Sequence, residues 1–190
     1  MDDAGFRFGA GSLCLDFVAT REGSVDRLSA PADLGGWLAA LALPQPAGGL
    51  TGDDLAAARL LRAAIERVAR RIVAGMPCEA EDVRAINASA RRPTPVILLG
   101  ASGRERTVVP EVDASGVLAV VARDAVHLFS AGSPARLREC ARDRCSTLFY
   151  DRSPSGRRRW CAMKGCGERV ASASYRQRRR AALASSTKER

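Results

Sequence analysis

Apolar residues recur at intervals of three and four positions along several stretches of the first 130 residues, which predicts a mainly helical body. The strongest pattern covers about 53–74, and its inward positions are Leu55, Ala58, Leu61, Ile65, Val68 and Ile72. The polar positions Arg59, Arg62, Glu66 and Arg70 are predicted to lie on the opposite face. Thr51 followed by Asp54 is a short-armed capping box and predicts where this helix begins.

Four weaker patterns predict further helices around this one. SLCLDFVATRE places Leu13, Phe17 and Val18 on one face, and PADLGGWLAALAL covers 31–43, with a proline suited to a helix start. A helix is expected over about 79–90, with Val83, Ile86 and Ala90 inward, whereas 117–130 is ambiguous because its β-branched content also suits strands. We favour helix there, on a stripe of Leu118, Val121, Ala122, Ala125 and Phe129.

Two short apolar runs interrupt the helical pattern and predict a β-hairpin. PVILLG at 95–100 and RTVVPEV at 106–112 flank a turn that contains glycine. The body is therefore expected to be mainly α with a small β element, an α+β class. A break at AGSP, residues 131–134, divides the chain into predicted domains at 1–132 and 133–190.

Charge separates the same two regions. Residues 136–190 contain 16 Lys and Arg against 5 Asp and Glu, a net charge of +11, while residues 1–135 carry −2. A basic tail on a nearly neutral body favours a polyanionic partner, nucleic acid before a membrane, over a tail that only aids solubility. The first residues, MDDAGFRFGAG, lack the pattern of a signal peptide, so we expect a cytoplasmic protein with reduced thiols.

The body contains no recognisable catalytic constellation, so we expect a protein that is not an enzyme. Its single histidine, His127, lies beside an apolar stripe and is interpreted as a surface or half-buried helix residue. Asp16, Cys14 and Cys78 are interpreted as structural residues, and no phosphate-binding loop or G-x-S-x-G motif occurs.

Four cysteines near the C-terminus form two C-x4-C pairs, Cys140 with Cys145 and Cys161 with Cys166, separated by 15 residues. Two short loops that each supply two thiolates favour one structural zinc ion, with no coordination position left for a catalytic water. A disulfide disagrees with a reducing compartment, whereas redox regulation of a zinc site remains compatible with it. STLFYD, RSPSG and RRRWC predict a hairpin between the pairs, followed by a helix, in a treble-clef-like order of knuckle, hairpin and helix.

Arginines concentrate around these cysteines and are predicted to contact nucleic acid. If RRRW is a strand, Arg157 and Arg159 point to one side and Arg158 to the other. On the final helix, Arg169, Arg176 and Arg180 share one stripe, because the second and third lie 7 and 11 positions after the first. Guanidinium groups on a zinc-braced helix suit phosphates and guanine edges. The candidate nucleic-acid residues are Arg157, Arg158, Arg159, Arg169, Arg176 and Arg180, with Arg178 and Arg179 alongside.

The C-terminal motif, which runs through RRRWCAMKGCGER, resembles the CGNR zinc finger of bacterial proteins. SLCLDFVAT and the two helical segments after it are similar to that family's usual partner, the ABATE domain. The resemblance implies that the four cysteines bind zinc and that the protein is a stress-related transcription regulator. Glu168 replaces the asparagine of the C-G-N-R signature; a carboxylate suits the first turn of a helix but would repel phosphate or pair with a nearby arginine.

The leading hypothesis is a cytoplasmic transcription regulator that binds duplex DNA through its zinc finger. The alternative is a zinc-braced protein-interaction or RNA-binding module, and a third reading is an enzyme in the N-terminal domain, around Asp16. A second copy of the chain and a small-molecule ligand of the N-terminal domain stay open as partners; no membrane partner is expected.

Overall fold

The computed structural model describes residues 5–109 and 113–188, with side chains for 5–108 and 113–179. About 51% of the chain is helical and 10% is strand, which confirms the α+β class. The helices are α1 Leu13–Val18, α2 Pro31–Ala40, α3 Gly52–Val73, α4 Ala80–Ala90, α5 Ala114–Ala131 and α6 Glu168–Lys188. The strands are β1 Arg21–Glu22, β2 Val25–Asp26, β3 Val96–Leu99, β4 Arg106–Val109, β5 Leu137–Glu139 and β6 Leu148–Tyr150.

The strands form three antiparallel pairs, β1–β2, β3–β4 and β5–β6. The predicted hairpin of the body is confirmed as β3–β4, in a register that places Val96 opposite Val109 and Leu99 opposite Arg106. The last residues of the predicted second strand, 110–112, lie outside the described part of the chain.

The start of α3 is the capping box that the sequence predicts. The backbone N–H of Asp54 donates to Thr51 Oγ1 at 3.2 Å, and the N–H of Thr51 donates to Asp54 Oδ2 at 2.8 Å. Two backbone donors that the first helical turn leaves without partners are thereby satisfied. The predicted inward face is buried from Leu55 to Val68, although Ile72 is only half-buried.

Arg62 departs from the predicted polar face of α3. Its side chain is only 4% exposed, and its guanidinium forms two hydrogen bonds with Asp26 of β2, at 2.8 and 2.5 Å, and one with Thr20 Oγ1 at 2.9 Å. The β1–β2 hairpin packs over this side of α3 and supplies the carboxylate. The predicted outward placement was therefore wrong, because burial here is decided by a neighbour distant in sequence.

Helix α5 is central to the body and packs against α1, α3 and α4. By length and composition alone it is apolar enough to cross a membrane, but half of it is buried inside the protein, and Val121, Ala122 and Ala125 are fully buried. The helical interpretation of 117–130 is confirmed. His127 is exposed, as expected for a surface residue.

Helix α4 confirms its predicted range but only part of its inward face. Ile86 is buried, whereas Val83 is 39% exposed, so its predicted burial was wrong. Asp82 is buried instead, and Arg67 of α3 pairs with it at 2.5 Å. The partner on α3 determines which residue of α4 faces inward.

The two predicted regions share one hydrophobic cluster. Leu137, Leu148 and Phe149 belong to the same cluster as the buried residues of α1 and α3. The backbone N–H of Tyr150 donates to the carbonyl of Ala10 at 2.7 Å, and Arg70 of α3 donates to the carbonyl of Ser146 at 3.0 Å. The cysteine-rich segment is thus anchored on the body, and the division at residue 132 stays a prediction.

Candidate metal centre

The four predicted cysteines converge on one point. All four are buried, and their Sγ atoms lie within 4.8 Å of one another. The Sγ of Cys161 lies 3.9 Å from that of Cys145 and 3.5 Å from that of Cys166, and the Sγ atoms of Cys145 and Cys166 are 3.7 Å apart. Tetrahedral zinc with bonds of about 2.3 Å requires sulfur–sulfur distances of about 3.8 Å. The donor set and its spacing therefore fit one four-coordinate zinc ion.

The first cysteine pair is presented by a knuckle that follows β5. The N–H of Cys140 donates to the carbonyl of Thr147 at 3.0 Å, and the N–H of Cys145 donates to the carbonyl of Arg142 at 3.0 Å. Arg144, between them, adopts a left-handed φ of 61°, which turns the loop back on itself. Both thiols consequently face the same point.

The second pair lies at a tight turn, Met163–Gly167, which leads into α6: Cys161 precedes the turn and Cys166 lies within it. Gly165 has a φ of 104°, a conformation that residues with a side chain rarely adopt. A Cβ at Gly167 would lie 3.0 Å from Met163 Sδ and 3.4 Å from Trp160 Cε3, so a side chain here would displace the Met163 thioether and press on the Trp160 ring. These contacts give a physical reason for the glycine that follows Cys166.

The thiols differ in how readily they ionise. Burial raises the pKa of Cys140 and of Cys161. Burial also acts to raise the pKa of Cys145, but hydrogen bonds, first with Thr147 and then with Cys140 and Arg142, together outweigh it and lower that pKa to about 6. Since a metal ion binds thiolates, zinc would offset the burial penalty on the other sulfurs.

Arg142 is a residue of the site that sequence reasoning missed. Its Nε donates to Cys166 Sγ at 3.1 Å, which places a positive charge beside a centre that carries −2 as zinc with four thiolates. Its location inside the first C-x4-C loop could have predicted this role, because a residue of the knuckle is necessarily close to the metal.

The predicted hairpin between the cysteine pairs was wrong in its pairing. The strand β6 confirms part of STLFYD, but it pairs with β5, residues Leu137–Glu139, and RRRWC has no strand partner in the described residues. The return segment is held by side chains and by a backbone hydrogen bond from the N–H of Ala141 to the carbonyl of Arg159 at 2.8 Å. Asp151 accepts hydrogen bonds from the N–H of Ser153 at 2.9 Å and of Arg158 at 2.8 Å. The hydrogen bonds from Ser153, followed by those from Arg158, hold the pKa of Asp151 near 2.

Two arginines of β5 and the turn before it complete this scaffold. Arg136 donates to the carbonyls of Asp151 and Ser153, both at 2.9 Å, and Arg138 donates to the carbonyl of Gly156 at 2.9 Å. Several arginines that charge alone assigns to a polyanion therefore brace the finger internally. No sequence pattern predicts these contacts, because the accepting carbonyls are brought together only in the folded loop.

Arg158 also lies inside the finger. It is half-buried, its Nε donates to the carbonyl of Trp160 at 2.8 Å, and its guanidinium contacts the carbonyl of Cys161. The guanidinium carbon lies 4.8 Å from the ring centre of Phe149. The guanidinium of Arg158 is therefore engaged by groups of the protein itself. The side-chain alternation expected for a strand at RRRW does not explain its position.

Four other candidate arginines lie on the outside. Arg157, Arg159, Arg169 and Arg176 are exposed, and the guanidinium of Arg159 lies 5.5 Å from the ring centre of Trp160. Helix α6 packs mainly on the Met163–Gly167 turn, and Val170 and Ser174 are its half-buried positions among residues 168–179. Arg180 belongs to the helix, but its side chain lies outside the described residues.

Glu168 occupies the first position of α6 and is exposed. Its Oε2 accepts a hydrogen bond from the N–H of Gly165 at 3.4 Å. The carboxylate thus caps the metal-binding turn, and no ion pair between it and an arginine occurs among the described side chains.

Polar residues at the start of α1 form a separate, partly buried cluster with Asp124 of α5. Asp124 of α5 accepts hydrogen bonds from Ser12 Oγ and from the N–H of Cys14, the latter at 2.8 Å. Asp16 accepts from the N–H of Ala10 at 2.7 Å, and burial raises the pKa of both Asp16 and Cys14. This pattern caps the start of α1 and agrees with the structural interpretation of these residues.

Comparison with known families found two matches. A family model named ABATE and described as "Putative stress-induced transcription regulator" matches residues 11–132. A model of the CGNR zinc finger matches residues 136–179, which include all four cysteines. A search of curated proteins found no match.

Proposed function

The chain belongs to the ABATE family and carries a CGNR zinc finger, and we propose that it is a cytoplasmic transcription regulator whose finger binds duplex DNA. Zinc in this proposal is structural, because four thiolates fill its coordination sphere. The ion fixes the two cysteine loops, and the chain's own side chains make the contacts with DNA.

The observation that carries the proposal is the exposed arginine surface of the finger. We define this surface by five exposed residues, Arg157, Arg159, Arg169, Arg176 and Arg179. Arg169 and Arg176 lie on one side of α6, because residues seven apart are separated by nearly two full turns. That side points away from the half-buried positions Val170 and Ser174. A single helix whose outer side carries guanidinium groups matches the width of the DNA major groove.

The test is the salt dependence of binding to mixed-sequence duplex DNA. Binding of the zinc-loaded protein is measured by fluorescence anisotropy. Log affinity should fall linearly with log salt concentration. The triple variant Arg169→Gln, Arg176→Gln and Arg179→Gln should reduce the slope by about 2.7, if each arginine neutralises one phosphate.

A charge-matched control separates contact from net charge. Arg84, Arg91 and Arg104 are exposed on the body, and replacing these three by Gln removes the same formal charge. The control should retain nearly the full slope. Equal slopes in the two triple variants, or no binding of the unmodified protein at low salt, would refute the proposed DNA surface.

A second candidate, binding of single-stranded RNA, is favoured by one observation. Tyr175 is 60% exposed beside the arginines of α6, and an exposed aromatic ring can stack on an unpaired base. The same anisotropy assay with single-stranded RNA decides between them. Tighter binding to RNA that Tyr175→Ala weakens would favour the RNA-binding module over the regulator of duplex DNA.

A further inference from the structure

A cleft of about 660 Å³ lies between the N-terminal segment of the body and the metal-binding loops of the finger. Phe8, Ala10 and Ala19 line it from the body, and Cys161, Lys164 and Arg169 are among its residues from the finger. This size lies within the range of about 300–1,000 Å³ that is usual for sites that bind small molecules. The metal centre and the arginine surface border this space through Cys161, Cys166 and Arg169, but a single zinc ion is far smaller than the cleft.

One wall of the cleft is apolar. Phe8 is 39% exposed although it is a large aromatic residue, and it lies beside Ala10 and Ala19. Ala162, on the finger side, is also exposed and lines the same space. An exposed phenylalanine against small residues leaves room for the hydrocarbon part of a ligand.

The charged residues that line the cleft differ in whether another group of the protein already pairs with them. Arg7 is paired with Glu22 at 2.9 Å, and Arg142 faces the sulfur of Cys166. Glu168 is the one acid of the lining, and it accepts the hydrogen bond from Gly165. Lys164 and Arg169 both line the cleft and are both exposed. A net positive rim next to an apolar wall remains after these pairings are taken into account.

We propose that this cleft binds an amphipathic organic anion, a hydrocarbon or aromatic group that bears a carboxylate, phosphate or sulfonate. The anionic group lies at Lys164 and Arg169, and the apolar group lies against Phe8. Because Lys164 and Gly165 belong to the turn that leads into α6 and Glu168 begins that helix, the occupant would contact the body and the base of this helix at once. Arg169 also belongs to the proposed DNA surface, so the test of the cleft is made without nucleic acid.

The test uses 8-anilinonaphthalene-1-sulfonate, a fluorescent aromatic sulfonate, with the zinc-loaded full chain. Its fluorescence should saturate at one probe per protein. Lys164→Met removes a charge from the cleft and Phe8→Ala removes the apolar wall, and each should weaken binding about tenfold. Arg178→Met removes the same charge from an exposed position of α6 that does not line the cleft, and it should leave the affinity unchanged.

Competition identifies the chemistry of the ligand. Decanoate should displace the probe, whereas decan-1-ol, with the same chain length and no charge, and inorganic phosphate, with charge and no hydrocarbon, should displace it poorly. Zinc content and circular dichroism of each variant report whether the fold is intact. Binding that does not saturate, equal affinity in Lys164→Met and Arg178→Met, or equal displacement by decan-1-ol would overturn the proposal.

Discussion

The contact between Gly11 and strand β6 predicts a large cost for the substitution Gly11→Ala. Gly11 has a φ of 91°, and a Cβ placed there would overlap the carbonyl oxygen of Tyr150 and lie 3.3 Å from Tyr150 Cβ. Backbone strain of this kind costs alanine about 1–2 kcal/mol. Separating the segments would also weaken the 2.7 Å hydrogen bond from Tyr150 to the carbonyl of Ala10, worth about 1 kcal/mol. The hydrogen bond from Arg152 to the carbonyl of Gly11 would be disturbed as well.

Gly9 offers a matched control for this prediction. Its φ is 99°, close to that of Gly11, but a Cβ there would have no heavy atom within 4 Å. Gly9→Ala should therefore lower the free energy of unfolding by only the strain, about 1–2 kcal/mol, and Gly11→Ala by about 3 kcal/mol. Urea unfolding of both zinc-loaded variants measures the difference. Equal destabilisation would show that the close approach to Tyr150 does not anchor the finger on the body.

Three further predictions concern the metal, an ion pair and the start of α6. Cys161→Ser should lose zinc and have a lower Tm, because zinc binding stabilises the folded finger, while the control Cys78→Ser should keep one zinc per chain. Atomic absorption measures the zinc and calorimetry the Tm. A Cys161→Ser protein with full zinc would refute the site. Arg62→Met should cost about 2 kcal/mol at neutral pH, less than a fully buried pair because Asp26 keeps contact with water. The hydrogen bonds from Arg62 lower the pKa of Asp26, so this cost should be present above about pH 4 and shrink at lower pH, as urea unfolding against pH would report. Glu168→Gln should tighten DNA binding about two- to fivefold at low salt by removing a like charge, and unchanged affinity in the anisotropy assay would place that carboxylate away from DNA.

The periodic patterns of the sequence determined most of the helices. Residues 53–74 repeat apolar side chains at helical spacing behind Thr51 and Asp54, and both kinds of information are local, so α3 begins and ends almost where the sequence predicts. The same holds for the four cysteines, because two C-x4-C loops restrict their thiols to short distances and leave few arrangements other than one metal site.

Only the tertiary structure decided which charged side chains face inward. Arg62 and Arg158 are of a residue type that usually lies on the surface. Arg62 instead donates hydrogen bonds to Asp26, and Arg158 to the carbonyls of Trp160 and Cys161. Their partners lie on other segments, so no pattern within their own segment predicts the contact. The pairing of β6 with β5 was hidden for the same reason, since strand partners are chosen by long-range packing and not by local alternation. The sequence thus determined the helices and the candidate zinc ligands, whereas the cleft exists only because the finger packs on the body, and contacts within the folded finger decide that Arg158 faces inward.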